Sequence, residues 1–389
     1  MKNAIATVVL VILWSSVLSF GQSTAGHQNK ISIGETVTLN SKYLKREMIL
    51  DVFLPDKYEV KNIRYPVLFT CQSTFLHVCG ITADLSSKRS IPQTIVVSVR
   101  NYSADDFIPE KVEGHPNSGN INNFISFFKE EAIPLIDSRY RTQPFRLFYS
   151  GSFGGAFSVF TLLTRPDLFN AYLSATPAID YEGMSNLIMN NVKTYIASNN
   201  YENRFLYMAV ENDPVLISVL KPFTEILTAA NLKGLKWDYK VYLEEDHASI
   251  PHRTIYNGLR YTFAQWSKIP DEVVQKGVNE VIEYLSSLDK LYNYKINPSE
   301  FATANVVFAF KKNRQNKDII TLLKFVLQIN PNSESMWLEL GRAYDADNQP
   351  ELAKTTLEKA YQKAVENTSP FVSIYMDALN KVKQKLSGK

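Results

Sequence analysis

Cysteine is almost absent from this chain: Cys71 and Cys79 are the only two in 389 residues. That scarcity excludes a disulfide scaffold and a four-thiolate zinc site, and leaves Cys71 to Cys79 as the one conceivable bridge. An excess of either charge is missing as well. Lysine and arginine number 42 against 39 aspartates and glutamates, a net charge of +3 without basic blocks, so a phosphate-tracking nucleic-acid surface is not expected. Histidine occurs only as His27, His77, His115, His247 and His252, which confines any imidazole chemistry to few places. Beyond the first twenty or so residues no run is long and apolar enough to span a bilayer. What is present is 45% hydrophobic and 21% charged residues, the balance of a chain that folds around a core. Its length exceeds what one compact core usually holds, which sets two domains as the expectation.

The chain opens on Met1, Lys2 and Asn3, followed by an apolar run over 4–18 interrupted only by Thr7, Ser15 and Ser16. Ser19 and Gly21 stand at the two positions a signal peptidase reads, so residues 1–21 are expected to be a secretory signal peptide cleaved before Gln22. The run is short for a membrane span, and no cysteine follows it to carry a lipid. A soluble, secreted or periplasmic product is the expectation.

From residue 47 the chain alternates short β-rich runs with amphipathic segments of helical length. Strands are expected at 48–54, 65–69, 94–99, 145–149, 171–175, 205–210 and 238–243, and helices over 124–136, 156–164 and 215–232. This alternation predicts an α/β domain over residues 30–268, a mostly parallel sheet covered by helices on both faces with its ligand site at the carboxyl ends of the strands. After Trp266 the β signal stops, and Lys268 to Asp271 reads as a linker into an all-α region over 271–389. There Trp337, Leu340, Gly341 and Tyr344 fit the tetratricopeptide pattern W-x2-L-G-x2-Y, followed by Ala353, Leu357 and Ala360 at the matching offsets. A degenerate copy precedes it, with Phe310 under Tyr344 and Leu323 under Leu357, while Thr303 and Val307 replace the tryptophan and glycine.

Chemistry is concentrated in the stretch Tyr149-Ser150-Gly151-Ser152-Phe153-Gly154-Gly155, a strand turning abruptly into a helix. In a nucleophile elbow the serine sits at a strained tip, and the residues two positions either side must be small; Ser150 and Gly154 fill those places. Ser152 is thus the candidate nucleophile. His247 follows the strand ending near Leu243, on a loop at the same end of the sheet, and is the candidate base; His252 belongs to the next helix, and His115 lies in a loop able to reach a pocket rim. The orienting acid is expected after the preceding strand, in Val210-Glu211-Asn212-Asp213-Pro214. Asp213 is preferred there, with Glu211 as the alternative, and Asp246 is taken as a solvated charge.

These residues resemble the putative esterase family of α/β-hydrolases, which includes esterase D and the enterochelin esterases. The likeness runs from about Ser41 to Trp266 and rests on Tyr65-Pro66-Val67-Leu68, Asp106-Phe107-Ile108-Pro109, Ile133-Pro134-Leu135-Ile136-Asp137, the elbow, Arg165-Pro166-Asp167-Leu168-Phe169 and His247-Ala248-Ser249-Ile250-Pro251. The resemblance implies Ser152 as nucleophile, His247 as base and no metal or organic cofactor. It also implies an oxyanion hole made by the backbone of Phe153 and of the loop around Ser73. Gln72-Ser73 stands where the family usually has Asp-Gly, and Ser150 where it usually has glycine. The function expected is an exported serine hydrolase cleaving carboxylic esters through an acyl-enzyme. The alternative is a non-catalytic hydrolase-fold protein that binds partners through its helical repeats. The partners expected are a small-molecule or acylated ester substrate and a protein or peptide at the repeats, without nucleic acid. The helical region, which has no histidine, is expected to take no part in the chemistry, so that a chain ending near residue 269 would keep its turnover at some cost in stability.

Overall fold

The computed structural model describes residues 32–388 except 57, 60–62, 72–74, 117 and 181–182. Gly34–Lys389 forms one compact unit. Eight strands lie in a single sheet in the order β1-β2-β4-β3-β5-β6-β7-β8. They are β1 Glu35–Ser41, β2 Arg46–Phe53, β3 Tyr65–Thr70, β4 Ile95–Val99, β5 Thr142–Gly151, β6 Ala171–Ala175, β7 Arg204–Glu211 and β8 Leu235–Tyr242. The pairs β1/β2 and β2/β4 are antiparallel and every later pair is parallel. The α/β class read from the alternation is therefore the observed one, with an antiparallel edge added at β1.

Parallel strands covered on both faces should be apolar on both, and β5 shows why the signal was a continuous run. Phe145, Leu147 and Tyr149 enter one core, while Phe148 enters the other. The first face is covered by α1 (Phe75–Ser87) and α8 (Ile250–Thr262), through Val78, Leu85, Ile255 and Leu259. The second is covered by α2 (Ile121–Phe127), α3 (Ile133–Arg139), α4 (Phe153–Thr164) and α7 (Pro214–Ala230). A π turn over Phe128–Ala132 joins α2 to α3 and sets Phe128 among Phe69, Phe124, Phe148 and Phe169, with ring centroids 5.2–5.8 Å apart. Between β6 and β7 lie the short helices α5 (Met184–Met189) and α6 (Val192–Ser198).

The two cysteines fall into different cores: Cys71 packs with the α4 face and Cys79, on α1, with the opposite one. Both are free and buried. Burial, with Asp106 adding to it, pushes the Cys71 thiol well up, and burial with Asp51 raises that of Cys79 to about 12. Both are therefore inert protonated thiols at neutral pH, and the bridge considered from sequence is absent.

After the short α9 (Ala264–Ser267) the regular elements among the described residues are all helices: α10 Asp271–Lys276, α11 Val278–Tyr292, α12 Glu300–Lys312, α13 Asn316–Ile329, α14 Glu334–Ala346, α15 Pro350–Glu366 and α16 Val372–Ser387. The 268–271 segment is no loose linker, because Ile269 is 5% exposed and shares a core with the sheet. Tyr292 at the end of α11 enters the first face of the sheet, with ring centroids 5.3 Å from Phe145, 5.4 Å from Phe263 and 6.1 Å from Phe205. Its hydroxyl donates to Thr262 O at 3.0 Å, and Trp266 Nε1 donates to Asn297 O at 2.8 Å. A chain cut near residue 269 would expose these aromatics, so the expectation of a self-sufficient hydrolase half does not fit the packing. Farther out, a Cβ on Gly341 would lie 2.6 Å from Leu357 Cγ. The glycine and the leucine singled out by the repeat pattern thus mark a close approach of α14 and α15. No helix among the described residues is long and apolar enough to cross a membrane.

Candidate active site

Ser152 stands between β5 and α4 with φ 55° and ψ −121°. A non-glycine residue there carries strain of about 1–3 kcal/mol and persists only where its surroundings hold it. The surroundings do: Ser152 N donates to Ala175 O at 2.9 Å, and Ser152 O accepts from Ala156 N at 3.0 Å and Ala178 N at 3.2 Å. The small neighbours are required by contact. A Cβ on Gly154 would lie 2.0 Å from Ser150 Oγ, and one on Gly155 would lie 2.7 Å from Ala175 O. Ser150 has its own reason to replace glycine, since its Oγ donates to Cys71 O at 3.1 Å and ties β5 to the residue following β3.

A cleft of about 350 Å³ opens over this turn. Ser152, Phe153 and His247 line it together with Tyr102, Phe107 and His77. Phe153 is the first residue of α4, the end of a helix that favours a developing anion. Ser73, expected as the second oxyanion contributor, lies outside the described residues, as do Gln72 and His27.

His247 sits on the turn between β8 and α8 and is exposed, its side chain 64% accessible. Its Nδ1 lies 2.8 Å from Glu211 Oε1, and Thr176 Oγ1 donates to Glu211 Oε2. Both carboxylate oxygens of a residue 5% exposed are therefore used. Asp213, the preferred acid, is elsewhere: it is the N-cap of α7, accepting from Val215 N at 2.8 Å and Leu216 N at 3.2 Å. The preference for Asp213 over Glu211 is thus corrected. The reason is that β7 runs through Glu211 and aims it at the turn, whereas Asp213 precedes a helix whose first amides need an acceptor. Asp246 accepts from Ala248 N and Ser249 N, both at 2.9 Å, and these bonds hold its carboxyl below the usual range. It shapes the turn, its oxygen taken up by these backbone amides.

The remaining histidines divide. His115 pairs with Asp105 at 2.8 Å and is not among the residues lining the cleft. His77, given no role from sequence, is in the cleft, with Nε2 3.0 Å from Nδ1 of His252. Sequence reasoning also missed Thr176, a residue with φ 46° next to the end of β6, for which the chain offers no motif. Among the described residues no group of three or more His, Cys, Asp or Glu side chains is placed to hold a metal ion.

Known proteins resemble this chain in sequence and in fold. Residues 41–224 match the family model described as putative esterase; the match covers the elbow and Glu211 and ends before His247. A curated relative, the ferri-bacillibactin esterase BesA of Bacillus subtilis (strain 168), is 24% identical over 228 residues, 51% of this chain and 78% of the relative. Among solved structures, an IroE-like serine hydrolase from Shewanella oneidensis superposes with a TM-score of 0.63 at 22% identity, over 77% of this chain and 98% of its own. An uncharacterised protein from Capnocytophaga ochracea superposes with a TM-score of 0.65 at 17% identity, over 90% and 99%. Its coverage includes most of the helical region, so sheet and helices recur together as one fold. Over residues 41–224 the chain is similar to the putative esterase family, and the activity class that this match supports is carboxylic-ester hydrolysis.

Proposed function

We propose that the chain is an exported serine hydrolase that works through an acyl-enzyme, with Ser152 as nucleophile, His247 as base and Glu211 as the carboxylate that orients the imidazole. The observation that carries this reading is the 2.8 Å contact of His247 Nδ1 with a buried Glu211, in a cleft shared with a serine at a strained strand-to-helix turn. In the first half-reaction Ser152 Oγ attacks the ester carbonyl while His247 Nε2 takes its proton; the tetrahedral oxyanion collapses, and the alcohol leaves with that proton. In the second, water attacks the acyl-serine, gives a proton to His247, and the acid leaves as Ser152 recovers its hydrogen. The Phe153 amide at the head of α4 is the oxyanion donor in this scheme. Glu211, held in turn by Thr176, fixes the Nδ1–H tautomer and stabilises the imidazolium.

The Ser150 hydroxyl favours this over a non-catalytic binding role. Two departures speak for that alternative, Ser150 in the elbow and Gln72-Ser73 in the oxyanion loop; the first is accommodated, since Ser150 Oγ has an acceptor in Cys71 O. For the substrate, the similarity to a protein named for ferri-bacillibactin suggests a siderophore-type ester, and Tyr102, Phe107 and Phe153 give the cleft aromatic walls to meet it. Export rests on the leader read over residues 1–21, and a peptide-binding role for the helices on the repeat pattern around Trp337 and Gly341. The test is hydrolysis of a short-chain p-nitrophenyl ester: Ser152→Ala is expected to abolish turnover while the protein stays folded. Turnover retained by that variant would remove Ser152 from the role.

A further inference from the structure

One pair of side chains at the edge of the cleft, of which His77 lines it, is left over after the triad is accounted for. His77 is on the first turn of α1 and His252 on the first turn of α8. Their facing nitrogens, Nε2 and Nδ1, are 3.0 Å apart, and the rings lie nearly parallel with centroids 5.3 Å apart. His252 is backed on its other side by Tyr256, whose ring is inclined by only 6° at 6.3 Å. The two helices begin at the two walls of the site: α1 follows the segment leading from Cys71, and α8 follows the turn bearing His247.

We propose that His77 and His252 are positioning residues for ester hydrolysis, a hydrogen-bonded imidazole clasp that sets the separation between the Cys71 wall and the His247 turn. The proposal rests on the assignment of His247 to the base. A hydrogen bond between two ring nitrogens needs one hydrogen and one lone pair, so the clasp is intact when the pair is neutral or carries one positive charge. When both rings are cationic, an N–H faces an N–H and the clasp opens. Burial, with His252 adding to it, lowers the His77 pKa from its ordinary value, so the opening falls on the acid side of the usual imidazole range of about 6.5.

The other groups around the pair are Tyr256 and Arg253 on α8, Glu245 and Asp246 in the turn before it, and His247, Tyr102 and Cys71 in the cleft. Glu245 is the negative charge coupled to His252, and it is held by Arg253 at 2.5 Å. The other titratable residues on α1 are Asp84, paired with Lys88, and Cys79, whose thiol stays protonated.

The experiment is a double-mutant cycle on the full chain with pH–rate profiles. His77→Phe and His252→Phe keep a ring and remove the bond; His252→Asn places an amide where Nδ1 stands, able to donate to His77 or to accept from it. Each phenylalanine variant is expected to lower kcat by about 5- to 10-fold, the scale of one lost hydrogen bond, with KM changed less than about 2-fold. The double variant should be no slower than the slower single one, because both changes break the same contact. His252→Asn should restore most of the rate and remove the second, more acidic step from the profile. Unchanged kcat in both phenylalanine variants, multiplicative losses in the double variant, or a loss confined to KM would each overturn the clasp. Ser152→Ala in the same assay separates the readings, since turnover surviving there refutes the nucleophile, whereas turnover lost there but indifferent to the histidines refutes only the clasp.

Discussion

Glu211 and Asp213 are two residues apart and chemically alike, and the backbone separates their roles. Glu211 ends a strand, buried, with one oxygen on His247 Nδ1 and the other on Thr176. Asp213 caps a helix. Glu211→Gln is therefore expected to lose activity steeply, toward the order of 10⁴ in turnover seen when the triad carboxylate of a serine protease is removed. Asp213→Asn should leave activity within a few-fold, because asparagine caps as well as aspartate does, and Asp213→Ala should cost about 0.5–2 kcal/mol of stability with turnover retained. Steady-state kinetics with denaturant unfolding on the three variants decides it, and the reverse ranking of the first two would return the role to Asp213. The capping role was legible: an aspartate directly before a proline that opens a helical pattern is an N-cap signature. Thr176 and the His77–His252 contact were not, because they join residues far apart in sequence with no spacing rule between them.

At the scale of elements, the strand-to-helix turn was readable because its constraints are local. Small residues around Ser152 are needed within one turn of chain, and the structure shows the atoms that enforce them. Gly154→Ala would drive a methyl to 2.0 Å from Ser150 Oγ and 2.7 Å from Ser150 Cβ. This variant is expected to fold poorly and lose turnover, while adding Ser150→Gly removes both obstructing atoms and should recover a large part of each. Thermal unfolding with activity on the single and double variants measures the coupling, and simple additivity would contradict the packing account. Strands such as 145–149 and 205–210 were readable because they are largely buried on both faces and so form apolar runs. β1 escaped because it is an edge strand with mixed exposure, Glu35, Thr36 and Thr38 facing solvent, and carries no continuous apolar run.

On the whole-molecule scale the helical region and the sheet share a core at the end of the strands remote from the site. Phe145, against which Tyr292 packs, precedes Ser152 by seven residues along β5, roughly 20 Å at strand rise, and no described residue beyond 269 lines the cleft. Tyr292→Ala is therefore expected to destabilise the chain by about 3–5 kcal/mol, the range for losing a buried aromatic, with turnover per folded molecule unchanged. Calorimetry and active-site titration check the two halves of that statement. A chain ending near residue 269 should be insoluble or unfolded. The helical content of this region was legible from its period and its Trp337–Tyr344 pattern, but its attachment was not, because Tyr292, Phe205 and Phe263 meet only once the sheet exists. The central claim, acyl chemistry at the head of α4, is tested most directly by mapping the adduct of a serine-directed fluorophosphonate by peptide mass spectrometry. Modification of Ser152, suppressed in the Glu211→Gln and His247→Ala variants, is the result expected; no adduct, or an adduct on another serine with Ser152 unmodified, would contradict it.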